Sequence, residues 1–346
     1  MDWETLKDLK GSEKKAYFMK GGRIYHVIMA QQFDRAFLDE LCNLTTRIRQ
    51  IAKSNEGTRF LRGLLQGKRA MLYFVQPSTR TFLSFVTACQ ILGMDWAEVR
   101  DPTTSSEMKG ESPEDSVRTF SSYFDLIIMR HPEPRFAEKM AFLLNQTPRP
   151  VPIINAGSGP DQHPTQALLD IYTIHRSFED QGGIDGKHIA LVGDLKRGRT
   201  VRSLAYLMKN YKDVKLYFVS PPELRMGDDL KEYLREKGVA FEECDDLEEV
   251  IPKVDVVYMT RIQDEYDREG ESERIDYSRY HFKPEYLKLM KPNAIIMHPL
   301  PRRKELPPEI DQDRRAMYWR QVRNGMWVRT ALIAKIFGVD MKIWDY

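Results

Sequence analysis

Between residues 34 and 55 the apolar side chains Phe37, Leu38, Leu41, Leu44, Ile48 and Ile51 recur on one helical face. That spacing predicts an amphipathic helix near the start of the first domain. The period then changes. Short apolar runs at 70–75, 96–99, 126–129 and 151–155 predict buried strands, each followed by enough chain for a crossover helix. Ser112-Pro113-Glu114-Asp115 marks one helix start, with a serine cap, proline at the first helical position and a carboxylate three residues after the cap. A second series of runs follows at 188–192, 214–219, 254–259 and 294–297. The pattern predicts two α/β units, each a doubly wound parallel sheet. Residues 164–178 read as the connecting helix, Gly182, Gly183 and Gly186 as punctuation before the second unit, and 318–337 as a final helix that closes back on the first domain.

A length of 346 residues suits two domains at roughly 100–200 residues each, and two domains invite a cleft between them. Hydrophobic residues at 42% and charged residues at 30% are ordinary for globular chains, which argues against disorder. The formal net charge of +2 gives no broad basic surface for nucleic acid, while leaving room for local cationic pockets. Cys42, Cys89 and Cys244 lie far apart, so free thiols are expected, with neither a metal site nor a redox dithiol. The first 23 residues lack a signal-type apolar core and no apolar run approaches the ~18 residues of a membrane span, so a cytoplasmic protein is expected.

The chemistry gathers where predicted strands end. Pro77-Ser78-Thr79-Arg80-Thr81 follows the first strand and precedes the apolar stretch 82–92. Hydroxyls, an arginine and backbone N–H groups at a helix start form a phosphate cradle, although serine and threonine are also common helix caps. His163-Pro164-Thr165-Gln166 follows the strand at 151–155 and a glycine-rich turn. Arg130, Arg199, Arg261 with Gln263, and the run His298-Pro299-Leu300-Pro301-Arg302 occupy similar places. Guanidinium groups repeated after strands point to a ligand with several negative charges, bound where α/β sheets bind ligands. The charged stretch 264–276 reads either as a solvated loop or as a substrate-gating one.

Seven motifs in this order, STRT at 78–81, KGES at 109–112, MRHP at 129–132, HPTQALLD at 163–170, GDLKRGRTVRSLAY at 193–206, TRIQ at 260–263 and MHPLPR at 297–302, resemble the aspartate and ornithine carbamoyltransferase family. HPLPR is similar to the aspartate branch, and Arg261 suits a substrate with a second carboxylate better than one with an ammonium. The resemblance implies transfer of the carbamoyl group from carbamoyl phosphate to aspartate, a step of pyrimidine biosynthesis, with no cofactor and no metal. It implies an extension at 1–25, a carbamoyl phosphate-binding domain at 26–165 with the helix at 318–346 packed on it, a connector at 166–185 and an aspartate-binding domain at 186–317. The implied active site lies in the cleft between the domains.

By the same resemblance, Ser78, Thr79, Arg80 and Thr81 hold the phosphate, and Arg130 bridges phosphate and carbonyl. Thr81, Arg130 and His163 surround the carbonyl oxygen, and Gln166 holds the carbamoyl amide. Arg199, Arg261 and Gln263 bind the dicarboxylate, with the backbone of Pro299 and Leu300 facing the reacting nitrogens. Ser105 and Lys109 match positions donated by a neighbouring subunit, which implies a homotrimer, alone or in a larger assembly with regulatory or dihydroorotase chains. Three positions depart from the family pattern: Phe82 replaces a basic residue, Gln76 a glutamate, and Tyr266 the arginine that such a glutamate meets. They leave room for a carbamoyltransferase acting on another amino acid or acyl-amino acid. A catalytically silent scaffold is disfavoured by the intact phosphate and carbonyl residues. A nicotinamide enzyme is disfavoured because GDLKRG supplies only Gly193 and Gly198 of a dinucleotide fingerprint.

Overall fold

The computed structural model describes residues 2–101, 110–159, 161–263 and 275–346. The chain forms two compact units, Met1–Thr165 joined by Gly325–Tyr346, and Gln166–Asn324.

The first unit is built on four parallel strands, β1 (Arg69–Phe74), β2 (Asp95–Val99), β3 (Leu126–His131) and β4 (Ile153–Ser158), in the spatial order β2-β1-β3-β4. Ala70 to Phe74 and Leu126 to Met129 are buried throughout, which is why these strands read as unbroken apolar runs rather than alternating ones. The chain leaves β1 toward β2 and comes back to the other side of β1 as β3. The carboxyl ends of β1 and β3 therefore flank the point where strand order reverses, the usual ligand crevice of an open α/β sheet.

Local signals set the helices. Asp34 Oδ1 accepts the backbone N–H of Phe37 at 2.9 Å and starts the helix Arg35–Ile51. Ser112 Oγ accepts from Asp115 N at 3.1 Å at the head of Pro113–Tyr123. The helix Thr79–Leu92 begins three residues before the apolar stretch suggests, because its first turn is made of the polar Thr79, Arg80 and Thr81. The C-terminal helix Tyr318–Phe337 enters the first unit at Gly325. There Arg329 donates to Ser84 Oγ at 2.6 Å and to Thr165 Oγ1 at 3.3 Å, and lies 4.8 Å over the Phe85 ring.

Residues 2–25 are folded onto the same unit. Trp3 packs on Phe142 with ring centroids 5.9 Å apart, and Lys14 pairs with the buried Glu138 at 2.8 Å. Sequence alone gave this segment no role. The Phe82 side chain, where the family pattern has a basic residue, is 5% exposed between Phe74 and Trp96. Its face carries the Arg100 guanidinium at 4.5 Å, so a cation is retained beside that position on a different residue.

The second unit has five parallel strands, β5 (His188–Val192), β6 (Lys215–Val219), β7 (Ala240–Cys244), β8 (Val256–Met259) and β9 (Ile295–Met297), in the order β7-β6-β5-β8-β9. Order reverses here between β5 and β8. Edge strand β7 was not legible in the sequence, because Ala240-Phe241-Glu242-Glu243-Cys244 is half exposed and carries neither an apolar run nor clean alternation. Among the described residues no helix is long and apolar enough to cross a membrane. Cys42, Cys89 and Cys244 are free thiols.

Candidate active site

In the first unit, Ser78, Thr79, Arg80 and Thr81 sit at the reversal point. Ser78 occupies the N-cap position of Thr79–Leu92, yet its side chain makes no capping hydrogen bond. The capping reading of this motif therefore has no bond to support it, and the first-turn N–H groups lie at the positive end of the helix. Arg130 lies opposite Phe74 across the sheet, and its carbonyl accepts the Gln76 N–H at 3.2 Å, holding the two strand ends together. Arg130 is 8% exposed and its guanidinium donates from Nη1 to the Ala156 carbonyl at 3.1 Å, so its position is tied to β4.

His163 follows β4 through a turn closed by Ser158 N donating to Gln162 O at 3.1 Å. The turn is tied to the end of β3 by Gly159 N donating to His131 O at 3.0 Å. Asn155, which sequence reading overlooked, braces it: Nδ2 donates to Ile28 O at 2.9 Å and Oδ1 accepts from Gly157 N at 2.8 Å. His163 is buried and immediately precedes the helix Pro164–Ser177, which carries Gln166 in its first turn.

In the second unit the reversal point is organised by Asp194, also overlooked. Its Oδ1 accepts from Arg197 N at 3.0 Å and its Oδ2 from Gln263 N at 3.1 Å, so one carboxylate shapes both the 194–199 turn and the 260–263 turn. Burial pushes its pKa above the usual carboxylate value, opposed by those two N–H donors. Gly193 allows the turns to approach: at φ +114 its missing Cβ would lie 2.5 Å from the Thr260 carbonyl oxygen. Arg199 begins the helix Arg199–Leu207, and Arg261 lies just beyond β8 with Nη1 donating to the Ile262 carbonyl at 2.8 Å.

Pro299 and Leu300 lie in a loop shaped by His298. Leu300 N donates to His298 Nδ1 at 2.8 Å, which leaves Nε2 as the protonated nitrogen, donating to Glu305 at 2.9 Å. Leu300 adopts φ 56, a left-handed conformation that is uncommon for a leucine. Burial raises the Glu305 pKa, but His298 and the Arg303 N–H outweigh it and hold the carboxyl below its ordinary value. The two reversal points thus hold Ser78, Thr79, Arg80, Thr81 and Arg130 in one unit, and Arg199, Arg261 and Gln263 in the other. Ser105, Lys109 and Tyr266 lie outside the described residues. Among the described residues no cluster of three or more His, Cys, Asp or Glu side chains is arranged to hold a metal ion.

Two family models match. Residues 25–176 match the carbamoyl-P binding domain of aspartate/ornithine carbamoyltransferases, and residues 185–336 match the Asp/Orn binding domain. The chain is 46% identical over 311 residues to aspartate carbamoyltransferase 1, chloroplastic, of Pisum sativum, covering 89% of this chain and 77% of that protein. It is 42% identical over 313 residues to the aspartate carbamoyltransferase catalytic subunit of Thermococcus gammatolerans, covering 90% of this chain and 97% of that one. Aspartate transcarbamoylase of Trypanosoma cruzi, solved in complex with N-(phosphonacetyl)-L-aspartic acid, superposes with a TM-score of 0.81 at 36% identity, covering 90% of this chain and 95% of that one.

Proposed function

Because the chain belongs to the aspartate/ornithine carbamoyltransferase family, we propose that it moves the carbamoyl group of carbamoyl phosphate onto the α-amine of L-aspartate, giving N-carbamoyl-L-aspartate and phosphate. The observation that carries this reading is the placement of cationic and hydroxyl groups at both sheet reversals, suited to a phosphate in the first unit and a dicarboxylate in the second. Ser78, Thr79, Arg80 and Thr81 take the phosphate. Thr81, Arg130 and His163 meet the carbonyl oxygen, and Gln166 meets the carbamoyl nitrogen. Arg199, Arg261 and Gln263 take the carboxylates, beside the backbone of Pro299 and Leu300.

The amine attacks the carbonyl carbon, and the C=O electrons move onto oxygen. As the tetrahedral intermediate collapses, the C–O bond to phosphate breaks and the leaving phosphate accepts the amine proton. The protein's part is orientation and charge stabilisation, and each donor aimed at the developing oxyanion contributes about 2.7–4 kcal/mol. The bond from Arg130 Nη1 to the Ala156 carbonyl supports reading this guanidinium as a donor that needs little reorganisation during the reaction.

We read the protein as a cytoplasmic homotrimer in which Ser105 and Lys109 enter a neighbouring chain's site, and a head-to-tail contact closes into a ring under threefold symmetry. Assembly with regulatory or dihydroorotase chains is compatible with that ring. Native mass measurement should give three chains, and reassembly of Arg80→Ala with Lys109→Ala chains should restore activity that neither has alone. Activity itself is tested by offering carbamoyl phosphate with L-aspartate, L-ornithine and acylated amino acids, and weighing the products. Carbamoylation of aspartate alone is expected; preference for another amine overturns the assignment.

A further inference from the structure

We propose that Asp170 is a positioning residue that makes the site select a carbamoyl over an acetyl phosphate, by fixing which end of the Gln166 amide is turned to the substrate. This rests on the reading of Gln166 as the group that meets the carbamoyl nitrogen. Asp170 lies one turn after Gln166 on the helix Pro164–Ser177 and is fully buried. Its Oδ1 accepts from Gln166 Nε2 at 2.9 Å and from Gln321 Nε2 at 2.7 Å, and its Oδ2 accepts from the Tyr258 hydroxyl at 2.8 Å.

A carboxylate has no proton to donate, so only the nitrogen end of a glutamine amide can face it. The Gln166 orientation is therefore chemically determined, and Oε1 is turned away from Asp170. That oxygen is an acceptor, which suits the NH2 of carbamoyl phosphate and gains nothing from the nearly isosteric methyl of acetyl phosphate. Were Gln166 to flip, its NH2 would confront the substrate's NH2, and two donors would face each other. Gln321 is fixed by the same logic: with its nitrogen on Asp170, its Oε1 accepts the His298 N–H at 2.9 Å. One carboxylate thus orients two amides, one toward the acyl group and one holding the segment that carries Pro299 and Leu300.

The test is calorimetry on the full chain with carbamoyl phosphate and with acetyl phosphate, comparing wild type, Asp170→Ala, Asp170→Asn and Gln166→Ala. Asp170→Ala should lose about tenfold of the preference, through weaker carbamoyl phosphate binding, with acetyl phosphate within about twofold of wild type. Asp170→Asn should lose less, because its amide oxygen still accepts both glutamines while the Tyr258 hydroxyl turns to accept from the new NH2. Should Asp170→Ala not fold, Asp170→Ser, whose hydroxyl can donate as well as accept and so no longer dictates which end of the Gln166 amide faces it, carries the expected loss. If both ligands weaken in parallel, or the preference survives while Gln166→Ala abolishes it, the positioning role is overturned. If Gln166→Ala itself keeps the preference, the carbamoyl reading of Gln166 fails, and the proposal with it.

Discussion

The backbone N–H of Gln263 donates to Asp194 Oδ2 at 3.1 Å, joining the turn after β8 to the turn after β5. The bond matters because it sets the spacing of the segments that carry Arg199 and Arg261. Asp194→Ala leaves the N–H groups of Gln263 and Arg197 without that acceptor, at about 1–3 kcal/mol each. The KM for aspartate should rise at least about tenfold while the calorimetric Kd for carbamoyl phosphate stays near wild type. Equal loss for both ligands would show that the carboxylate supports folding only.

The two units should also separate by ligand. Arg261→Ala removes a charge-assisted contact worth about 1.5–3 kcal/mol, so aspartate affinity should fall about 10-fold to 150-fold with carbamoyl phosphate little affected. Arg80→Ala should do the reverse. A Kd series for each ligand on both variants checks the division, and a variant of Arg80 that binds carbamoyl phosphate normally would return STRT to the role of a simple helix start.

The segment before residue 25 is expected to behave as part of the first unit. Lys14 Nζ sits 2.8 Å from Glu138 and donates to the Lys7 carbonyl at 2.9 Å, and both side chains are almost fully buried. Arg135 also holds Glu138, through Nε at 2.8 Å, so removing Lys14 does not strand the carboxylate entirely. Lys14→Met should therefore cost about 3 kcal/mol, the lower end for breaking a buried pair. Urea unfolding measures this; an unchanged midpoint would mean the extension is a dispensable cover.

Two histidines should make the first unit acid-sensitive. Burial pushes His26 down to about 4, against the opposing effect of its bond to Asn145, and pushes His131 down to about 4, against the nearby Glu114. Both are neutral in the folded chain, with His26 Nδ1 accepting from Ile153 N and His131 stacked 3.8 Å from Phe136. The unfolded chain binds these protons near pH 6.5 and the folded chain near pH 4. Stability is therefore fully present above about pH 6.5 and is lost as pH falls from there toward 4. His131→Gln should flatten that slope in melts taken across the window, and an unchanged slope would contradict the assignment.

How much was legible follows from the kind of signal each part leaves. The inner strands are buried on both faces, so 70–75 and 126–129 stand out as apolar runs, and the helix starting at Pro113 declares its own cap. The half-exposed edge strand Ala240–Cys244 leaves no such trace. The arginines after strands were visible because cations recur at equivalent places. Asp170, Asp194, Asn155, Gln321 and Glu305 were not, because each acts by accepting from or donating to groups that are distant in sequence or belong to the backbone. A lone acid or amide in a motif does not reveal such partners. The Asp170 and Gln321 pair, separated by 151 positions, required the fold.

The central claim, that one chain type binds both a phosphate-bearing acyl group and a dicarboxylic amino acid for transfer between them, is tested most directly by calorimetric titration with N-(phosphonacetyl)-L-aspartic acid. Joining the two halves spares the second one its association cost, so binding should be tighter than for carbamoyl phosphate or aspartate alone. Arg80→Ala and Arg261→Ala should each weaken it strongly. Absence of binding at millimolar concentration to the intact wild-type protein would contradict the account.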